Sequence, residues 1–112
     1  MATNIFTRLE KRKAFPLDVD GEVIHITEPT MGQISRIQNV GNADSTGLAF
    51  GLCLVDSNGS RLIDQLPDEA DQDFSRRVME MASNLTVSSV KKISEAILRL
   101  SKPVDQVPLQ KN

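Results

Sequence analysis

The sequence predicts an α+β fold, mainly α, in which a small N-terminal β-hairpin lies on a compact bundle of about four helices. Three features predict it. Asp20-Gly21 stands between two segments of alternating polarity, and stripes of helical period fill residues 31–40, 70–85 and 87–100. The apolar residues, 39% of 112, are mostly Leu, Val, Ile and Met, with four Phe as the only aromatics. Such a core packs well around helices. A single core is expected, because a chain of this length buries roughly 65% of its unfolded surface as one domain.

Ahead of the hairpin, residues 1–13 combine Ile5, Phe6 and Leu9 with the basic run Lys11-Arg12-Lys13. This predicts an N-terminal arm or short amphipathic helix whose basic run is solvated. A two-residue turn at Asp20-Gly21 then pairs Leu17 with Ile24 and Phe15 with Ile26, gathering four large apolar side chains on one face. Asp18, Pro16 and His25 take the other face, towards solvent, and Pro16 belongs on a free edge. A lone hairpin is marginal in water, so its apolar face must lie against helices.

Thr30 predicts the N-cap of the first helix, with Gln33 as its capping-box partner. Met31, Ile34, Ile37 and Val40 form the inner stripe, and Gly41-Asn42 ends it. A new start at Asp44 or Ser45 leads into residues 48–55, which are apolar on every side. Periodicity does not separate strand from helix there, but abundant Leu and Ala with few β-branched residues favour a helix. Asp56-Ser57-Asn58-Gly59 is a turn and Leu66-Pro67 a stop.

Asp68, Glu69 and Asp71 complement the dipole of a helix starting at Asp68. Ala70, Phe74, Val78, Met81 and Leu85 form its inner stripe. Thr86 caps the last helix, which turns Val87, Val90, Ile93, Ile97 and Leu100 inward and stops at Pro103. Residues 14–101 thus make one hairpin-plus-helices domain, followed by a flexible C-terminal tail over 102–112.

Thirteen basic and fifteen acidic residues leave a net charge of -2, which offers no attraction to phosphate backbones or anionic lipid. Neither nucleic acid nor membrane is an expected partner. No run approaches the roughly 18 apolar residues of a membrane span, and no secretory signal opens the chain. A lone cysteine, Cys53, points to a reducing compartment, a cytoplasm, where the sequons at Asn58 and Asn84 have no access to glycosylation.

No catalytic, cofactor or metal site is expected. His25 is the only histidine, so neither a Ser-His-Asp arrangement nor a zinc ligand set can be assembled around an alternative. Cys53 has no neighbouring cation to lower its pKa and is expected as an inert buried thiol. Asp56-x-Asn58 begins like a calcium loop, but the required glycine falls on Arg61. The acidic group Asp64, Asp68, Glu69, Asp71 and Asp73 is accounted for by a helix N-terminus. Gly47-x-x-x-Gly51 signals close approach of another helix.

Two places carry more apolar surface than one core needs. A helix greasy all round, with Leu48, Phe50 and Leu52, is either central in its domain or buried against another subunit. At roughly 100° per residue, Leu98 falls about 120° from the stripe of Val90, Ile93, Ile97 and Leu100; it either covers the hairpin or binds a partner. Leu48, Phe50, Leu52 and Leu98 are therefore the candidate partner-binding residues. The expectation is a homo-oligomer that offers a helical apolar groove to a partner segment.

The order of parts resembles the tail assembly chaperones of long-tailed bacteriophages over roughly residues 10–101. The hairpin ends in Ile26-Thr27-Glu28-Pro29-Thr30, a helix and an apolar helix follow, and two amphipathic helices close at Leu98-Arg99-Leu100-Ser101. The most telling stretch runs from Leu54 to Ile63, where the Asp56-x-x-Gly59 turn follows the apolar helix. Leu62-Ile63 stand where the family commonly has an aromatic.

The resemblance implies a non-enzymatic, ATP-independent chaperone in the host cytoplasm, absent from the finished virion. It would coat the tape-measure protein, keep it soluble and help recruit tail-tube subunits. The family also commonly has a longer form made by ribosomal frameshifting near the C-terminus. A long apolar helical client would aggregate alone, and many weak contacts along it add by avidity. Rival readings are a virion connector or tail terminator, and a helix-turn-helix DNA regulator. The last would use the two final helices joined at Asn84-Leu85-Thr86, although its recognition helix would hold only Lys91, Lys92 and Arg99.

Overall fold

The structure, a computed structural model, describes residues 13–101. Both the expected N-terminal helix and the expected tail lie outside the described residues. The element order is β1 (Phe15–Val19), β2 (Glu22–Ile26), α1 (Met31–Asn39), α2 (Ser45–Cys53), β3 (Leu54–Val55), α3 (Asp71–Met81) and α4 (Val87–Ser101). Among the described residues the fold is α+β, with four helices and an antiparallel sheet ordered β1-β2-β3.

The hairpin has the register the turn dictates: Phe15 opposite Ile26, Leu17 opposite Ile24 and Val19 opposite Glu22. Asp20 and Gly21 both have positive φ, 54° and 89°, the pair that matches the twist of two-residue hairpins. Asp18 Oδ1 accepts from Gly21 N at 2.9 Å and closes the turn. Hydrogen-bonded and open pairs alternate away from a two-residue loop, so Pro16 falls in an open pair with its nitrogen towards the free edge. Val19 and Ile26 are buried, whereas Phe15 at the open end is exposed. The sheet is anchored at the turn because Ser89 Oγ of α4 donates to Asp20 Oδ2 at 2.7 Å.

β3 departs from the helix expected over residues 48–55. α2 ends at Cys53, and the next two residues pair with β2, Val55 opposite His25 and Leu54 opposite Ile26. Backbone partners on both sides compete with continued helix. Thr27 N donates to Cys53 O at 2.9 Å, and Leu62 N reaches Leu54 O after the chain has reversed. The reversal is local chemistry: Asp56 Oδ1 accepts from Asn58 N and Ser60 N, and Gly59 takes φ 88°. The third strand also covers His25, which is half-buried rather than in solvent.

α1 opens with both halves of the capping box, Gln33 N to Thr30 Oγ1 at 3.1 Å and Thr30 N to Gln33 Oε1 at 3.0 Å. Met31, expected inside, is 89% exposed at the first position, while Ile34, Ile37 and Val40 are half-buried. α3 begins at Asp71 rather than Asp68, because residues 66–69 form a turn in which Glu69 N donates to Leu66 O. Phe74 and Val78 are buried as predicted, but Ala70 is the exposed N-cap. Met81 and Leu85 are exposed too, lying beyond the residues that meet α2.

Thr86 Oγ1 caps α4 by accepting from Ser89 N at 3.1 Å. The buried face of α4 is Ser89, Ile93, Ala96 and Ile97. The predicted stripe packs inward at Ile93 and Ile97, with Val90 and Leu100 partly buried against the core; only Val87, in the first turn, is left out, at 84% exposed. The core gathers these residues with Leu48, Phe50, Leu52, Phe74 and Val78.

Candidate functional site

α2 is the central element. Its Leu48, Phe50 and Leu52 are 0%, 1% and 0% exposed within a single copy of the chain. The proposal that these three side chains face a partner is therefore corrected: of the two places for an all-apolar helix, the middle of its own domain is the one occupied. Gly47 and Gly51 let α3 approach closely, since a Cβ at Gly51 would stand 2.5 Å from Phe74 Cζ and one at Gly47 would overlap Ser75. The Gly-x-x-x-Gly spacing thus works inside the monomer. Leu98 alone of the four stays on the surface, 60% exposed.

Leu98 borders a groove of about 380 Å³ between α1 and α4. Its floor is the one face of α2 that is not buried, Ser45, Thr46 and Ala49. These small side chains leave a hollow between two larger walls. Ile34, Ile37 and Gln38 come from α1; Ser94, Ile97, Leu98 and Ser101 come from α4. No lining residue is charged, so an apolar occupant enters without stripping water from an ion. The volume lies at the lower end of the roughly 300–1,000 Å³ seen for small-ligand clefts. Ile34, Ile37 and Ala49 were not marked as site residues by sequence reasoning, and only the small-residue face of α2 could have hinted at them.

Ionic clamps involve α3, one of them tying it to α1. Arg36 of α1 donates to both carboxylate oxygens of Asp71, at 3.1 and 2.6 Å, and to Gln65 Oε1 at 2.7 Å. Arg77 grips Glu69 in the same two-pronged way at 2.8 Å and lies 5.4 Å from the centre of the Phe74 ring. Within the acidic group, Glu69 and Asp71 are thus held in ion pairs, and Asp71 and Asp73 stand in the first turn of α3; no group of three potential metal ligands occurs among the described residues.

These clamps carry a pH signature. The Arg77 guanidinium holds the Glu69 carboxyl down to about 2 from an ordinary 4.5. Arg36 likewise lowers Asp71 against the opposing effect of burial. Both carboxyls ionise more readily folded than unfolded, so their contribution is complete above about pH 4.5 and fades as pH falls towards 2. Thermal midpoints of Glu69→Gln measured across that window are expected to fall less steeply than those of the wild type; parallel curves would refute the shift.

The remaining chemistry-bearing residues do not assemble. Cys53 is buried, and the Asp56 carboxylate is engaged by backbone amides of its own turn. Of the two final helices, α3 packs chiefly on α2, while α4 packs on α2 and β1. No protein-family model, curated protein or solved structure matches the chain. Among the described residues, no helix is long and apolar enough to cross a membrane.

Proposed function

We propose that this chain is a non-enzymatic phage tail assembly chaperone that holds a helical apolar segment of the tape-measure protein in the α1–α4 groove and helps recruit tail-tube subunits in the host cytoplasm. The observation that supports the reading best is an open, uncharged groove bordered by an exposed leucine. Such a groove suits the apolar face of a helix, which brings its own backbone hydrogen bonds and needs only side-chain contacts. Each contact is weak, and copies arrayed along a long client, themselves associating, supply avidity.

Co-expression with the tape-measure protein tests the reading. The wild-type chain is expected to keep the client soluble and to co-purify with it, and Leu98→Asp to lose most of that retention with its helical circular dichroism unchanged. Equal retention by a folded Leu98→Asp variant, or no complex with the wild type, refutes the assignment.

A further inference from the structure

We infer that the groove has a resident occupant in this chain itself: the segment 102–112, lying back along α4 in extended form. The chain leaves the described structure at Ser101, and Ser101 is part of the groove lining. The segment therefore starts at the groove, with no distance to cross before it enters. Pro103 prevents α4 from carrying it away, since proline lacks the N–H a helix needs and biases the residue before it towards extended backbone. The groove follows α4 from Ser101 back to Ser94, two turns or roughly 10 Å. Four extended residues reach about 13 Å, so Gln106 to Leu109 suffice to span it once Lys102 to Asp105 have turned the chain, which leaves the Asp105 carboxylate outside the uncharged lining.

The chemistry of the two surfaces matches. Gln106-Val107-Pro108-Leu109-Gln110 is uncharged, with apolar side chains at 107 and 109. It faces an uncharged lining whose apolar part is Pro29, Ile34, Ile37, Ala49, Ile97 and Leu98. An extended segment brings N–H and C=O groups that need partners; Thr46 and Ser94 of the lining carry hydroxyls that can serve them, and Ser45 Oγ, which donates to Asn42 O, can still accept. Residues 1–12 fit less well, because Arg8, Glu10, Lys11 and Arg12 crowd their C-terminal end and their burial would be costly. Tethering supplies an effective concentration on the order of millimolar, so even weak docking is populated. This occupancy requires no client protein.

Methyl NMR of the full chain tests it. In a variant carrying both Val107→Asp and Leu109→Asp, the methyl signals of Ile37, Ala49, Ile97 and Leu98 are expected to move while those of Phe74's neighbour Val78 stay. Added peptide 102–112 at millimolar concentration is expected to return them towards the wild-type positions. Independently, a nitroxide on Asn112→Cys, placed selectively because Cys53 is buried, is expected to broaden the Leu98 and Ala49 methyls. Unmoved groove methyls together with no broadening overturn the inference. So does movement of the same methyls by Ile5→Asp with Phe6→Asp, which would give the groove to the N-terminal segment, or a dependence on protein concentration, which would give it to a second copy.

Discussion

Gly47→Ala is expected to lower stability by about 2–3 kcal/mol, as a shift of the denaturation midpoint at constant slope. In an exposed helix the same change stabilises by roughly 1 kcal/mol, so here the sign is diagnostic. The new methyl group would overlap both Ser75 Oγ and Ser75 O, and would stand 2.8 Å from Met79 Cγ. Met79 can swing away. The backbone oxygen cannot, and the Ser75 hydroxyl is committed to Asp44 O at the start of α2. α2 and α3 must therefore part along their whole contact, and interiors do not absorb a methyl group without loss. Gly51→Ala meets the ring of Phe74 and, at 3.1 Å, Val78 Cγ2. A ring can tilt, so the expected cost is smaller, about 1–2 kcal/mol. A gain of stability in either variant would refute the α2–α3 seam.

A pair of aspartates one residue apart is expected to separate folding from association. Ile97 is 4% exposed and belongs to the core, whereas Leu98 beside it is mostly exposed. Ile97→Asp removes a buried aliphatic side chain and inserts an unpaired charge, two costs that together exceed about 4 kcal/mol. Against a total of roughly 5–15 kcal/mol, that leaves much of the population unfolded at 37 °C. Leu98→Asp changes a surface position and should stay within about 0.5 kcal/mol. Thermal unfolding followed by circular dichroism decides the matter, and equal losses in the two variants would reject the assigned faces.

What the sequence made legible is what short-range chemistry dictates. The Asp20-Gly21 turn determined the register of β1 and β2, and Thr30 with Gln33 marked the first turn of α1, because each depends on residues two or three apart. β3 escaped because Leu54 and Val55 owe their strand geometry to β2, nearly thirty positions earlier, and to a reversal at Asp56 that brings Leu62 back. The run from Leu48 to Cys53 is apolar on every side, and such a run has no direction to read. Whether it faces inward or towards a partner depends on whether α1, α3, α4 and the sheet suffice to enclose it. The candidate site divides in the same way. Leu98 stood out on a helical wheel, but Ser45, Thr46 and Ala49 acquire meaning only once two larger helices flank them.

The outer wall of the groove, α1, is only lightly seated on the domain. α1 has Gln33 as its one buried residue, rests its half-covered aliphatics on α2, and is pinned from outside by Arg36 across to Asp71 and Gln65. Parting α2 from α3 would break the hydrophobic centre, whereas lifting α1 releases three polar bonds near solvent and a few aliphatic contacts. Local opening of this kind draws on a smaller free energy than global unfolding. A thick occupant is therefore expected to enter by breaking the Arg36 clasp, with the α2–α3 centre unchanged.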